Sequence, residues 1–344
     1  MTTTAQASQS NQRKDLMVLW GGIIFSLAFT GLIWWAGGRL DAIELLPDQG
    51  VAWYYWRLPD PTLVTRAIAW ISYLAHQVAI WWLIYTAQKS NLKYTTNLHK
   101  VNIYALAVNA FFIAWHFVQT HLWYDGLAQD VSIFSSQGSV IVLLVWIMLM
   151  ENPRRGLFFG KKVPFSQIII RFARKYHGYF FAWATIYTFW YHPMVSTSGH
   201  LIGFLYMFLL LLQGSLFFTR IHINRWWMFA NEFAVLVHGS LVAVMQGNGI
   251  WPMFAFGFGG VFIITQMHGL GLSRWVKWVL LLLYIGLVLW VYSERGWANL
   301  NEIIRIPVID YVAVFVLAGL FWLGLSLARL IRNWRSPNVE LSQG

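Results

Sequence analysis

The sequence predicts an all-α fold, a polytopic transmembrane helical bundle of about ten spans with both the N-terminus and the C-terminus cytoplasmic. Three observations predict it. Of the 344 residues, 58% are hydrophobic and only 11% are charged, whereas a soluble domain carries roughly 25% charged residues. Long apolar runs recur along the chain, and the connections between them alternate between many and few basic residues. The composition therefore argues against a water-soluble fold.

Ten apolar runs are long enough to cross a hydrocarbon core of about 30 Å. They lie near 16–37, 63–87, 101–122, 137–151, 176–192, 199–219, 223–247, 250–269, 275–293 and 308–331. The fourth and fifth runs are short, and the fifth could continue an amphipathic helix that begins near Ser166. An error of one span would move one terminus across the membrane.

The positions of the charged residues predict the orientation, because Lys and Arg are retained on the cytoplasmic side. With the N-terminus inside, only five of the 24 Lys and Arg residues fall in outer segments, namely Arg39, Arg57, Arg66, Arg295 and Arg305. The acids show the opposite bias, with Asp310 among those counted as outer and Glu232 alone within a span. We expect the plasma (inner) membrane as the location.

Three segments are predicted along the chain. Residues 1–15 are expected to form a disordered cytoplasmic tail, 16–335 a single transmembrane helical domain, and 336–344 a second cytoplasmic tail. The first apolar run is too long for the apolar core of a signal peptide and is expected to be a retained helix.

The longest outer connection, residues 38–62, is rich in aromatic side chains. Trp53, Tyr54, Tyr55 and Trp56 follow one another there, which is typical of an anchor at the membrane interface. This connection could also cover whatever the bundle holds.

The net charge of +11 does not indicate nucleic acid as a partner, because the basic residues flank apolar spans. The basic segment 152–175 instead suggests contact with anionic lipid. The absence of cysteine excludes disulfides, thiolate metal sites and covalent CxxCH haem attachment. A metal ion would have to be held by His, carboxylate or Met.

Ten histidines are the main polar residues at depth, and an ionisable group inside a span is a functional-site hypothesis by default. A lone buried histidine is more often a neutral packing residue, but so many in neighbouring spans weaken that interpretation. By depth, His99, His177, His222 and His268 fall near the inner face, His76 and His238 near the middle, and His116, His121, His192 and His200 toward the outer face.

The fifth run carries two imidazoles at different depths. His177 and His192 lie fifteen residues apart, a rise of ~22 Å along a helix. In the eighth run, Gly257 lies almost directly above His268 on the helix surface. Its neighbouring glycines extend a smooth face against which a flat ring, or more commonly another helix, could pack.

The stretch KYHGYFFAWATIYTFWYHP, residues 175–193, resembles the two-haem bundles of ferric-reductase-like and related b-type membrane cytochromes. The histidine separation is about one residue longer than in that pattern, and no other span repeats it. The resemblance implies haem b as a cofactor. The cofactor-binding candidates are His177, His192, His268, His116, His76 and His200, and the metal-ligand candidates are His177, His192 and His268.

Depth matching predicts two separate sites, because an axial pair must come from different helices at similar heights. The inner site would pair His177 with His268 or His222. The outer site would pair His192 with His116 or His200. The predicted catalytic acid–base residues are Glu232, expected to be protonated or hydrogen-bonded at its depth, and His238, although these two lie on different faces of one helix.

The first functional hypothesis is a haem- or metal-binding redox protein that moves electrons between a quinone-like donor and an acceptor. The alternatives are an enzyme acting on a lipid or isoprenoid, a transporter, and a pigment-binding accessory subunit. In the enzyme hypothesis one outward-facing site would combine His116, Gln119, His121, Asp125, His192 and His200. The lipid bilayer is the expected partner in every case.

Overall fold

The computed structural model describes residues 13–50, 54 and 56–335, with side chains up to 332. These residues are all-helical, with 77% of the chain in helix and no strand in the described part. The predicted all-α class is therefore confirmed. Of the predicted aromatic anchor, Trp53 and Tyr55 lie outside the described residues.

Ten α-helices follow one another in the described chain. They are α1 (Lys14–Ala36), α2 (Leu63–Lys89), α3 (Lys100–Trp123), α4 (Ile133–Arg155), α5 (Gln167–Tyr191), α6 (Ser198–Ser215), α7 (Arg225–Met245), α8 (Trp251–Ile264), α9 (Arg274–Arg295) and α10 (Glu302–Arg335).

Eight helices are long and apolar enough to cross a membrane, all except α5 and α8. The 14 residues of α8 rise only ~21 Å, which is short of a hydrocarbon core. The first half of α5 carries Arg171, Arg174 and Lys175. The predicted count of ten spans and the predicted orientation of the termini both stay predictions.

Side-chain caps explain where several helices begin. The side-chain oxygens of Thr62, Thr197, Asn224 and Ser273 accept hydrogen bonds from backbone N–H groups in the first turns of α2, α6, α7 and α9. Such caps satisfy donors that have no partner inside a helix. Pro252 is the second residue of α8, in the first turn, where the missing N–H would have no partner inside the helix.

The chain divides into two compact units. Unit 1 comprises residues up to 140 and 178–249, and unit 2 comprises 141–177 and 250 onward. This division does not test the prediction that residues 16–335 form a single domain. The predicted tails lie largely outside the described residues, although Lys14 and Asp15 already belong to α1.

Unit 1 is built on helix pairs, with α2 against α3, α3 against α6, and α6 against both α1 and α7. Its core is aromatic, and the most deeply buried side chains include Phe189, Trp190, Tyr191, Phe204 and Phe208. Many of the side chains that face outward from the helices of unit 1 are apolar as well. A surface of this kind is stable against lipid rather than water.

Buried polar contacts fix the ends of the unit 1 helices. Asn102 of α3 donates from Nδ2 to the carbonyl oxygens of Ser215 and Phe217, both at 2.8 Å, and its Oδ1 accepts from the His99 backbone N–H at 2.8 Å. Asp15 of α1 accepts from the Ile221 N–H at 3.1 Å. These bonds join the beginnings of α1 and α3 to the connection after α6.

In unit 2, α8 packs mainly against α10 and α9. A Cβ at Gly257 would lie 2.9 Å from Ile306 Cβ, and one at Gly260 would lie 3.2 Å from the Tyr284 hydroxyl. The glycine face that the sequence predicted therefore packs against neighbouring helices, the commoner of its two interpretations.

Candidate functional site

The structure gathers five of the predicted site histidines in unit 1 and leaves two in unit 2. Unit 1 holds His76 on α2, His116 on α3, His192 directly after α5, His200 on α6 and His238 on α7. Unit 2 holds His177 on α5 and His268 after α8.

A loop residue, Tyr54, completes the polar group in unit 1. The segment after it lies along the connection between α3 and α4, because Gln129 accepts from the Leu58 N–H at 3.1 Å and donates to the Leu58 carbonyl at 3.3 Å. The Tyr124 hydroxyl also donates to the Trp56 carbonyl at 3.3 Å. These contacts hold Tyr54 in a buried position over the helix ends.

Four side chains form a continuous hydrogen-bonded chain, which we call the Tyr54 cluster: His192, Tyr54, His200 and Thr197. The Tyr54 hydroxyl oxygen lies 2.9 Å from His192 Nδ1 and 2.8 Å from His200 Nε2. His200 Nδ1 lies 2.7 Å from Thr197 Oγ1. One phenol thus joins two imidazoles, and Thr197, the N-cap of α6, fixes the second of them.

The Tyr54 cluster has two proton arrangements that satisfy all three hydrogen bonds. A neutral imidazole carries one N–H, and a hydroxyl can both donate and accept. In the first arrangement His192 Nδ1–H donates to Tyr54, Tyr54 donates to His200 Nε2, and His200 Nδ1–H donates to Thr197. In the second arrangement every bond is reversed. A proton taken up at His192 Nε2 can therefore be matched by one released at Thr197.

His192 is the end of the cluster with an unengaged ring nitrogen. Its Nδ1 is engaged by Tyr54, whereas Nε2 has no hydrogen bond to any part of the chain that the structure describes. Its backbone carbonyl accepts from His116 Nε2 at 2.8 Å, which ties the end of α5 to α3.

His116 is fully buried between hydrogen-bond acceptors. Its Nε2 meets the His192 carbonyl, and its Nδ1 lies 2.8 Å from Gln119 Oε1. The Gln119 amide is oriented by donation from Nε2 to the Asp125 carbonyl at 3.1 Å. Since both partners accept, both bonds of His116 form together only when both of its ring nitrogens carry protons.

His76 has a different environment. Its Nε2 lies 2.7 Å from Asn109 Oδ1, and the Asn109 amide group is committed to Ser215 Oγ at 2.8 Å. Trp190 Nε1 donates to His76 Nδ1 at 3.2 Å. A neutral imidazole has one N–H that donates and one nitrogen that accepts, so the Asn109 oxygen and the Trp190 N–H suit a neutral His76. Such an arrangement is typical of a packing histidine.

The predicted acid–base pair on α7 lies against α6. His238 bonds to the Gly199 carbonyl, and its Nε2 is 3.0 Å from where a Cβ at Gly203 would lie. Glu232 is buried. The catalytic roles of Glu232 and His238 stay predictions.

Asp125 lies just beyond α3, beside the Gln119 bond. Burial raises the pKa of its carboxyl to about 6 from an ordinary value of 3.8. Its Oδ1 accepts from the Gly126 N–H at 2.8 Å, whereas its buried Oδ2 has no partner among the described residues. The carboxyl is thus held where its charged form is poorly solvated.

The arrangement of the imidazoles does not fit a bis-imidazole haem as it stands. Axial ligation needs a free nitrogen on each of two facing imidazoles, but both ring nitrogens of His76, His116 and His200 are engaged. The His192 and His200 rings are 5.5 Å apart, with the Tyr54 hydroxyl bonded to both.

The unit 2 candidates bond to their own helical turns. His177 Nδ1 lies 2.6 Å from the Arg174 carbonyl, and His268 Nε2 lies 3.2 Å from the Ile263 carbonyl. Within the described ranges no group of three or more His, Asp or Glu side chains could hold a metal ion. The haem b, metal and paired-site hypotheses therefore stay predictions without support from this geometry.

Sequence reasoning placed several of these residues at one level but missed others. It named His116, Gln119, Asp125, His192 and His200 as members of one possible outward site, together with His121, whose Nδ1 bonds to the Phe117 carbonyl of its own helix at 2.8 Å. It treated Tyr54 as one aromatic of an interface connection that could also cover the bundle, and it did not name Thr197. The single available signal for Thr197 was its N-cap position three residues before His200.

Comparisons with protein-family models, curated proteins and solved structures give no match to this chain.

Proposed function

We propose that this chain is an integral protein of the plasma (inner) membrane with ten spans, in which α5 and the segment 251–269, made of α8 and the 3-10 turn after it, add to the eight clear candidates. Both termini would then be cytoplasmic. The scarcity of Lys and Arg in the alternate connections supports this orientation. In this topology the Tyr54 cluster lies at the extracytoplasmic end of unit 1.

We propose further that unit 1 is an acid–base enzyme acting on a hydroxyl-bearing lipid or isoprenoid. The observation that carries the proposal is the Tyr54 hydroxyl, which bonds to two imidazoles at 2.9 and 2.8 Å. A histidine within hydrogen-bond reach of its substrate is the commonest general base. The connection that supplies Tyr54 also covers the site, as functional loops often do.

The proposed step is removal of a proton from the substrate hydroxyl. The substrate O–H bond breaks and the proton binds His192 Nε2. The Nδ1 proton of His192 moves to Tyr54, the Tyr54 proton moves to His200 Nε2, and the His200 Nδ1 proton moves to Thr197, which releases its own proton to water. The substrate oxygen is left as an alkoxide, its proton has been matched by one released to water, and no charge is left on the buried imidazoles.

Arg57 supports a substrate with an anionic headgroup. It follows Tyr54 by three residues, and its Nη2 donates to the Val131 carbonyl at 3.2 Å. The ring of Tyr191 lies 5.4 Å from that of Tyr54, and its hydroxyl donates to the same Val131 carbonyl at 3.1 Å. A guanidinium beside the cluster would attract phosphate-bearing lipids.

Tyr54→Phe tests the proposal, because it keeps the ring and removes the bridging hydroxyl. Purified protein in nanodiscs would be incubated with a total membrane lipid extract, and the lipids compared by mass spectrometry. We expect wild type to convert one lipid class and Tyr54→Phe to lose roughly 100-fold or more in rate, within the range for general base catalysis.

Tyr187→Phe is the matched control. It removes another buried phenol hydroxyl of unit 1, one bonded to Ser135 Oγ at 2.6 Å, and it should keep the activity. Full activity of Tyr54→Phe, or a loss equal to that of Tyr187→Phe, would overturn the role of the cluster.

Haem-based electron transfer is the second candidate, and one observation favours it. His192 Nε2 has no hydrogen bond within the described chain, and aromatic rings surround the neighbouring imidazoles, with Phe112 stacked on His76 at 4.4 Å and Trp190 4.3 Å from His116. An absorption spectrum separates the two candidates. Bands of imidazole-ligated haem in the purified protein would favour electron transfer, whereas lipid conversion by haem-free protein would favour the enzyme.

A further inference from the structure

Unit 2 contains a buried carboxyl that sequence reasoning placed outside the membrane. Asp310 lies eight residues into α10, a distance of about 12 Å along the helix axis, and it is only 3% exposed. The interpretation that Glu232 is the only carboxylate within a span was therefore incomplete. Asp310 lies near the start of the apolar run 308–331, where the charge count placed it with the outer acids, whereas α10 already begins at Glu302.

The Asp310 carboxyl lacks the partners that an ionised group needs. Its Oδ2 is fully buried and has no hydrogen-bond partner in the part of the chain that the structure describes. The facing helix α8 has the sequence WPMFAFGFGGVFII, which contains no ionisable side chain. A carboxylate without donors in apolar surroundings is very costly, so such a group stays protonated.

The titratable groups around Asp310 other than Arg155 are committed to other partners. Tyr311, its neighbour on α10, meets Thr265 Oγ1 at 2.7 Å. Tyr284 on α9 donates to the Phe256 carbonyl at 2.9 Å. The other titratable and charged groups of the surrounding elements are Glu302, paired with Arg295 at 2.8 Å, Arg305, bonded to Asn301 at 2.6 Å, Tyr292, bonded to Glu302 at 3.2 Å, and Arg155, whose charge acts on Tyr311.

We propose that Asp310 is a proton-binding site of unit 2, separate from the Tyr54 cluster. Its ligand is a proton, which the carboxyl holds at neutral pH. At alkaline pH the carboxyl O–H bond breaks and the proton leaves to water. This site does not depend on the enzymatic proposal for unit 1, because it rests on a different carboxyl in a different unit.

Infrared spectroscopy of the full-length protein in nanodiscs tests the proposal directly. A protonated carboxyl gives a carbonyl-stretching band that shifts to lower frequency in D₂O, and Asp310→Asn should remove part of that band. Asn keeps the shape and neutrality of the protonated side chain, so the variant is expected to fold. Asp130→Asn is the control, because Asp130 pairs with Arg66 at a partly exposed site and should contribute no such band.

Two measurements on the wild-type protein need no variant. Dicyclohexylcarbodiimide reacts with protonated carboxyls in apolar surroundings, and peptide mass spectrometry should find its adduct on Asp310 at neutral pH. The infrared band should also fall reversibly as the pH is raised. An unlabelled Asp310, an unchanged band in Asp310→Asn, or a sodium-dependent carboxylate signal from Asp310 would overturn the proposal.

Discussion

Replacing Asp125 with Asn should stabilise the protein at neutral pH. Burial raises the pKa of the Asp125 carboxyl from 3.8 to about 6 in the folded state. The Asp125 carboxyl therefore ionises less readily in the folded state than in the unfolded chain. As a result, the free energy of unfolding falls as the pH rises from 3.8 to about 6. The shift of about two units corresponds to roughly 3 kcal/mol at neutral pH. The neutral amide introduced by Asp125→Asn would avoid this loss, and its oxygen could still accept the bond from the Gly126 N–H.

The assay is thermal unfolding followed by tryptophan fluorescence in detergent, for which 22 Trp residues provide a strong signal. We expect Asp125→Asn to melt several degrees above wild type near pH 7 and to approach it near pH 3, where the Asp125 carboxyl is mostly protonated in both the folded and the unfolded state. A variant that loses stability at both pH values would show that the Asp125 carboxylate is stabilised rather than strained, and would refute the reasoning.

Two further substitutions test the packing of unit 1 by the same melts. Gly203→Ala places a methyl group 3.0 Å from His238 Nε2 and should cost about 1–3 kcal/mol, whereas Gly199→Ala, which meets side-chain atoms only at 3.5 Å or beyond, should be tolerated. Equal melting temperatures for the two variants would contradict the close approach of His238 to α6. Asn102→Ala leaves two buried carbonyls without their donor and should cost roughly 2–4 kcal/mol, while the same change at the exposed Asn299 should cost little.

The positions of most helices were predictable because membrane spans are encoded locally. A backbone in lipid must satisfy its hydrogen bonds within the segment, so a long apolar run indicates a helix. The predicted run at 63–87 corresponds to α2, Leu63–Lys89. The predicted run at 308–331 corresponds to α10, Glu302–Arg335. The helix is longer than the run because helices continue past their apolar part into polar residues.

The candidate site was predictable only in part. Hydropathy gives depth, and depth placed His116, His192 and His200 at one level. It does not give the rotation of a helix or the partner of each ring nitrogen. His76 and His116 are both buried histidines in predicted spans, yet one is matched by a donor and an acceptor and the other by acceptors alone.

The sequence by itself determined the helical class, most helix positions and the charge asymmetry, because these depend on residues close together in the chain. Only the tertiary structure shows that the four side chains of the Tyr54 cluster come together. Its central bonds join residues 138 and 146 positions apart, and one of them comes from a connection with no helical periodicity. A hydrogen bond is short and directional, so it forms only after several helices and a loop have packed, and no local pattern records it.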